Sequence, residues 1–410
     1  MSWRCHARPI CPPGRGPAAA ILGLAQWASG GLEAAYRALA DAMAGFQKAG
    51  NLHFALSVTS GLADIRTVQG RLYESIQYHT QALQLALAQG EPLIRGTANL
   101  YLGLSELYHE QGQIPVALQH LLRTEELGEQ AALPDWRYRL CRVQARFKES
   151  QGDWAGALAL LDTAKGHYTR GRIPDVRPLA ALQARLWLAQ GRLRDALRWV
   201  QEAGLAVDDE LSFLRECEHI TLARVLIANQ ALPEALRLLV RLLQAAEEGE
   251  RMGSVIEILV LLALAHAAQG DMPSALVALE RALRLAEPEG YICIFVDEGP
   301  SMAALMSEAE KQGITPNYVR QLRAAFGQAE DKTPVAQDFL AARAVAIEPL
   351  SERKREVLKL LATELNGPEI AHELTVSLNT MRTHTKNIYE KLGVNNRRAA
   401  VRRAAELDLL

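Results

Sequence analysis

Sixteen residues near the end of the chain, Ser377 to Leu392, hold the side chains best suited to chemistry: SLNTMRTHTKNIYEKL. Met381, Ile388 and Leu392, with Thr385 between them, are spaced to form one narrow apolar stripe on an α-helix. The opposite face carries Asn379, Arg382, Thr383, Lys386 and Glu390, with no apolar bulk. Such a face has no core to enter, but it matches the groups displayed in the major groove of DNA. Arg and Lys reach guanine edges and phosphates, Asn pairs with adenine, and a Thr methyl meets a thymine methyl. A basic amphipathic helix alone more often marks a solvated surface, so the reading depends on its neighbours.

Those neighbours supply a frame. Pro368 to Leu374 predicts a short helix with Ile370, Ala371 and Leu374 inward. Asn366 is its N-cap, and Glu369 three residues on completes a capping box. Pro368 is tolerated because first-turn N–H groups lack helical partners. Thr375 and Val376 make a tight turn, and Ser377 caps the next helix. Helix, short turn and polar-faced helix is the helix-turn-helix arrangement, whose second helix enters the groove. A helix from Ser351 carrying Val357, Leu358, Leu360, Leu361 and Leu365, and another over Arg397 to Leu407 with Ala400, Val401, Ala404 and Leu407 inward, complete the bundle. Four helices in about 60 residues can close a core. Residues 350–410 hold 11 Lys or Arg against 8 Asp or Glu, net +3, whereas the whole chain is −2. A basic module on an acidic body is the asymmetry expected of a DNA-binding regulator.

The segment LSERKREVLKLLATELNGPEIAHELTVSLNTMRTHTKNIYEKLGVNNRRAAVRRAAELDLL resembles the LuxR-type helix-turn-helix domain over its whole length. The EVLKLLA core, the EIA…L second helix and the NTMRTHTKNIYEKLGV recognition helix stand in register with that family. The resemblance implies binding to double-stranded promoter DNA. It makes Arg382, Thr383 and Lys386 the major-groove readers, with Asn379 on the same polar face. Thr380, Asn387, Lys391 and Arg397 become phosphate or flank contacts. For His384, core packing and a backbone contact stand as equal alternatives. Three positions depart from the family. Lys354 replaces a usual Glu and removes the first helix's capping box, Pro368 replaces a common Lys, and Met381 replaces a usual Val. Domains of this type bind as dimers, which implies a homodimer on paired half-sites. Val401, Ala404 and Ala405 are a candidate dimer face, or simply finish the bundle.

The remaining composition narrows the class. Apolar residues are 49% and aromatics 6% of 410 residues, with Ala and Leu dominant, which favours helices. No 18-residue uncharged apolar run is present, so no membrane span is expected. Cys5, Cys11, Cys141, Cys217 and Cys293 show no CxxC spacing, which argues against a zinc site or a disulfide framework. A reducing cytoplasm, with association to the nucleoid, is the expected setting. There is no nucleophile elbow and no HExxH, so neither an enzyme nor a cofactor is expected.

Residues 18–290 contain a recurring phrase: a small polar residue, Gly, one or two variable residues, then Ala-Leu. It appears as SGGLEAAY at Gly30, QGRLYESI at Gly70, QGQIPVAL at Gly112, QGDWAGAL at Gly152, QGRLRDAL at Gly191, NQALPEAL at Gln230 and QGDMPSAL at Gly270. Successive copies lie 40, 42, 40, 39, 39 and 40 residues apart. Each copy reads as a helical hairpin. Helix A ends on a Gly in the left-handed conformation, and helix B packs through its Ala-Leu pair. One hairpin cannot bury both faces, so neighbours stack into a superhelix. Gln230 in place of Gly predicts a strained or different turn. The array resembles tetratricopeptide repeats, with a period nearer 40 than the usual 34.

The expected architecture is therefore all-α. A disordered segment 1–17 precedes a tetratricopeptide-like domain 18–326, a linker 327–349 and the LuxR-type domain 350–410. The phrase YICIFVDEGPSMAALM after the last repeat reads as a strand at Ile292 to Val296 or, preferably, as a cap over the open end of the solenoid. Tyr73, Tyr101, Tyr108, Trp136, Arg137 and Trp187 are candidates to line an exposed concave wall, against the alternative that the aromatics pack between hairpins. The array, the YICIFVDEGP phrase and the C-terminal domain together resemble MalT-like regulators, the large ATP-binding LuxR group. That resemblance implies an inducer or protein on the repeats, self-association, and RNA polymerase as a further candidate partner. The group's nucleotide-binding domain is not expected here, because no GxxxxGK[ST] is present and PPGRGP lacks the Lys and hydroxyl of a phosphate loop. The alternative function is a protein-binding helical scaffold whose terminal bundle has little DNA affinity.

Overall fold

A computed structural model describes residues 15–90, 93–168, 175–330, 352–363, 365–374, 376–377, 380–381, 383–386, 388, 397, 400–401 and 404. The N-terminal segment expected to be disordered falls outside these as far as residue 14, and so does most of the expected linker. The chain divides into two compact units, residues 1–331 and 332–410.

Seven hairpins build the first unit. Their A helices are α1 (Arg15–Ala28), α3 (Leu52–Val68), α5 (Thr97–Glu110), α7 (Trp136–Ser150), α9 (Leu179–Ala189), α11 (Glu216–Ala228) and α13 (Met252–Ala268). Their B helices are α2 (Leu32–Lys48), α4 (Leu72–Leu87), α6 (Ile114–Leu127), α8 (Trp154–His167), α10 (Leu193–Glu202), α12 (Leu232–Glu248) and α14 (Met272–Ala286). Helix α1 starts three residues before the expected boundary, because Gly16 and Pro17 occupy a first turn that needs no internal N–H donor.

The turns follow the recurring phrase. Gly30, Gly70, Gly112, Gly152, Gly191 and Gly270 have φ between 70° and 86°, the left-handed region that glycine enters without penalty. The N–H of the next residue then reaches back five positions, as from Arg71 to Arg66 O at 2.8 Å and from Asp271 to His266 O at 2.9 Å. That bond closes the helix end. In the sixth copy Gln230 adopts the same turn at φ 60°, and Ala231 N–H still reaches Leu226 O at 2.9 Å. Five residues after each turn residue sits the small side chain of the phrase. Ala35, Ser75, Ala117, Ala157, Ala196, Ala235 and Ala275 are all 0% exposed, so the two helices of every hairpin approach through a position that admits no bulk.

A and B helices differ in burial. B helices bury one stripe, as in α12 with Leu232, Ala235, Leu238, Leu239 and Leu242. Most A helices are buried nearly all round, as in α13 from Val255 to Ala265, which places them in the interior of the coil. Beyond α14 the phrase YICIFV forms a one-turn helix, α15 (Cys293–Val296), rather than a strand. Helices α16 (Pro300–Lys311) and α17 (Pro316–Glu330) follow. Met302, Leu305, Met306, Tyr318, Val319 and Leu322 continue a core that runs through α9 to α14 and also takes in Leu72 of α4 and Leu107 of α5. Helix α17 runs into the stretch expected to be linker, to Glu330.

Candidate nucleic-acid interface

In the second unit, α18 (Glu352–Leu361) precedes α19 (Gly367–Glu373), and every described residue of 380–388 is helical. Asn366 Oδ1 accepts from Glu369 N–H at 3.1 Å, while Glu369 Oε2 accepts from Asn366 N–H at 2.7 Å, so the capping box is complete in both directions. Val376 N–H reaches Ala371 O at 2.9 Å and turns the chain sharply after α19. Ser377 Oγ then accepts from Thr380 N–H at 3.1 Å and caps the next helix. Val357, Leu358, Leu361, Ile370, Ala371, Met381, Ile388, Ala400 and Ala404 form one buried core. Met381 and Ile388 thus turn inward as their spacing requires, and Thr385 Oγ1 donates back to Met381 O at 2.9 Å. Helix α18 ends at Leu361, and Leu365, expected on it, follows half-buried.

The expected DNA contacts divide three ways. Thr380, Thr383 and Lys386 are exposed along the outer side of the recognition segment. Asn379, Arg382, Asn387 and Lys391 lie outside the described residues. Arg397 is half-buried, and its guanidinium faces the end of α18. Its Nε donates to Leu361 O at 2.8 Å, Nη1 to Leu365 O at 2.5 Å and Nη2 to Thr363 O at 2.5 Å. These are carbonyls at and beyond a helix C-terminus, where a cation is favoured. His384 is half-buried, and its Nδ1 has no hydrogen-bond partner among the described residues.

The interior of the repeat unit is charged, which the aromatic candidates did not anticipate. Trp136 is buried, Tyr101, Tyr108 and Trp187 are half-buried, and Tyr73 and Arg137 are exposed. Tyr101 and Tyr108 both stand beside the His120 ring, at 5.8 and 5.4 Å. The inner A helices are instead joined by ion pairs. Arg139 of α7 bridges Glu106 at 3.2 Å and Asp64 at 3.5 Å, and Arg146 meets Glu149 at 3.0 Å and also pairs with Asp297. Glu257 of α13 receives Arg185 at 2.8 Å and Arg224 at 3.0 Å. Arg142 lies 5.6 Å over the Tyr138 ring, and its Nε has no partner among the described residues.

Burial shifts several of these groups. It raises Asp64 to about 6 against the pull of Arg139, and raises Glu110 to about 7 against that of Arg146. At Glu257 burial also opposes the charge, but Arg185, Arg224 and Arg177 outweigh it and hold the carboxyl at about 2. Burial pushes His79 and His109 down to about 3, so both rings are neutral at physiological pH. The signal for this interior was visible in the sequence. Arg139, Arg142 and Arg146 are spaced three and four apart, on one face of a helix.

Residues 13–312 match the family model described as the MalT-like TPR region. The chain belongs to that family. Residues 348–404 match a second model, the bacterial regulatory proteins of the luxR family, and these residues include α18, α19 and the recognition segment. Among similar proteins is the HTH-type transcriptional regulator MalT of Vibrio cholerae serotype O1, 26% identical over 236 residues, which cover 54% of this chain and 26% of that protein. The MalT regulator of Klebsiella pneumoniae subsp. pneumoniae is 26% identical over 257 residues, covering 59% and 28%. This member of the MalT-like TPR family thus spans about a quarter of the length of the curated relatives it matches. Among its described residues no helix is long and apolar enough to cross a membrane. None of the described residues forms a group of three or more His, Cys, Asp or Glu able to hold a metal ion.

Proposed function

We propose that the chain is a sequence-specific DNA-binding transcription regulator, with the repeat unit as its sensor or partner-binding module. The observation that carries this reading is the doubly capped helix, turn and helix within the stretch that matches the luxR family. The recognition segment lies in the major groove. Arg382, Thr383 and Lys386 read bases with Asn379 beside them, and Thr380, Asn387 and Lys391 hold phosphates. We assign Arg397 to positioning, since its guanidinium engages three carbonyls that follow from the end of α18. The active form on DNA is a homodimer, and RNA polymerase is a candidate partner there.

Binding to promoter fragments across a salt series tests this. Neutralising about five phosphates gives a log–log slope of roughly −4 to −5. Arg382→Ala weakens specific binding by about 1–3 kcal/mol if Arg382 reads a base, and Lys386→Ala does so by a similar amount, with the melting transition unchanged. No salt-dependent shift would favour a protein-binding scaffold.

A further inference from the structure

The stacked coils of the repeat unit meet along a seam. A Cβ placed on Gly30 would stand 3.2 Å from Phe213 Cβ, one on Gly70 2.9 Å from Met252 Cβ, and one on Gly112 2.9 Å from Ile292 Cγ2. A Cβ on Gly253 would stand 3.2 Å from Thr67 O. By contrast, Gly191 and Gly270 face open space. The first three turn glycines therefore serve close approach as well as backbone conformation. The first two meet the entries to later A helices. The third meets the segment 289–298, between α14 and α16.

That segment is tied across the seam by groups from α4, α5, α7 and α11. Tyr73 N–H donates to the Glu289 carboxylate at 3.0 Å, and Gln111 Nε2 to Glu289 O at 3.0 Å. Ile292 N–H donates to Glu110 O at 2.9 Å, Ile294 N–H to Glu110 Oε1 at 2.9 Å, and Cys293 Sγ to His109 O at 3.0 Å. Two ion pairs close the far end, Asp297 with Arg146 and Glu298 with Arg224 at 2.5 Å. The bonds to Gln111 and His109 join residues 178 and 184 apart in the chain.

A solenoid is held mainly by interfaces between sequence neighbours. Bonds that skip several hairpins are a separate set, and none of them lies within a hairpin. These polar bonds lie over an apolar anchor, since Tyr291, Ile292, Cys293 and Phe295 are buried, while the Asp297 and Arg146 side chains at the rim keep 24% and 33% exposure. We propose that residues 289–298 are a latch that locks the early hairpins onto the late ones and opens as one unit while every hairpin stays folded. Opening bares Glu110, Arg146 and Tyr291. The latch does not depend on the DNA reading.

Hydrogen exchange by mass spectrometry on the full chain, wild type against Asp297→Asn with Glu298→Gln, tests the latch. Exchange in 289–298 and in 107–114 should rise together, at least tenfold, while 154–167 and 232–248 keep their protection. A rise confined to 289–326 would make the segment a local end cap and overturn the proposal. If the double variant loses its melting transition, Glu298→Gln alone carries the same test. Joint exchange of the two regions then supports the latch, and exchange in only one overturns it.

Discussion

The hairpin turns allow a prediction that separates backbone conformation from close approach. A left-handed residue with a Cβ costs about 1–2 kcal/mol relative to glycine. Glycine returns about 0.4–1 kcal/mol of that through its freer unfolded chain. Gln230, at φ 60°, carries this cost now, so Gln230→Gly should stabilise the repeat unit by about 0.5–1 kcal/mol. Gly270 has the same turn, at φ 84°, with nothing near its absent Cβ, so Gly270→Ala should lose about the same amount. Gly70 has the turn, at φ 76°, and also the seam. Its new methyl would stand 2.9 Å from Met252 Cβ and 3.1 Å from Gly253 N. Backbone and a β-carbon give way poorly, so Gly70→Ala adds an overpacking cost of about 1–3 kcal/mol to the conformational one. Urea midpoints followed by helical circular dichroism, at constant m-value, should rank Gln230→Gly above wild type, then Gly270→Ala, then Gly70→Ala. Equal losses at Gly70 and Gly270 would refute the packed seam. A destabilised Gln230→Gly would refute the strained turn.

Two further outcomes follow from buried charge. Arg397→Ala strands carbonyls at the end of α18, and should cost the second unit about 1.5–3 kcal/mol, with Arg397→Lys recovering part of it; faster hydrogen exchange over 352–374 in the full chain reports this, and unchanged exchange contradicts it. Glu110 has a folded pKa of about 7, above its ordinary value of 4.5, so the folded state holds the extra proton between those limits. Its contribution to stability is therefore present at low pH and is lost as pH rises through about 7. Measured as wild type minus Glu110→Gln, the difference should fall with pH, by at most about 1.4 kcal/mol per unit and less for its partly solvated carboxyl. A flat difference would mean that Glu110 titrates as an exposed carboxyl does.

Much of the scaffold was legible because its signals are local. A left-handed turn needs only its own φ, and a buried Ala or Ser five residues later needs only its own hairpin, so the period of about 40 located both. Asn366 and Glu369 satisfy each other within one turn, and the capping box was readable for the same reason. What stayed hidden depends on the pitch of the superhelix. Arg146 finds Asp297 151 residues away, and Arg224 finds Glu298 74 residues away, and no local pattern pairs them. The family resemblance implies a phosphate or flank contact for Arg397. Its carbonyl partners lie 32 to 36 residues upstream and became visible only once the bundle closed. For the aromatic residues the sequence left an exposed lining and packing between hairpins both open; Trp136 packs fully, Tyr101, Tyr108 and Trp187 in part, and Tyr73 stays exposed.

Selection of bound duplexes from a random-sequence DNA library by the full chain, at near-physiological salt, bears most directly on the role of the recognition segment. A DNA-reading regulator should enrich one motif, repeated as paired half-sites about one helical turn apart, and Arg382→Ala should blur a defined base position within it. A library that emerges without any enriched motif, from protein whose melting transition is intact, would contradict sequence-specific DNA binding by this chain.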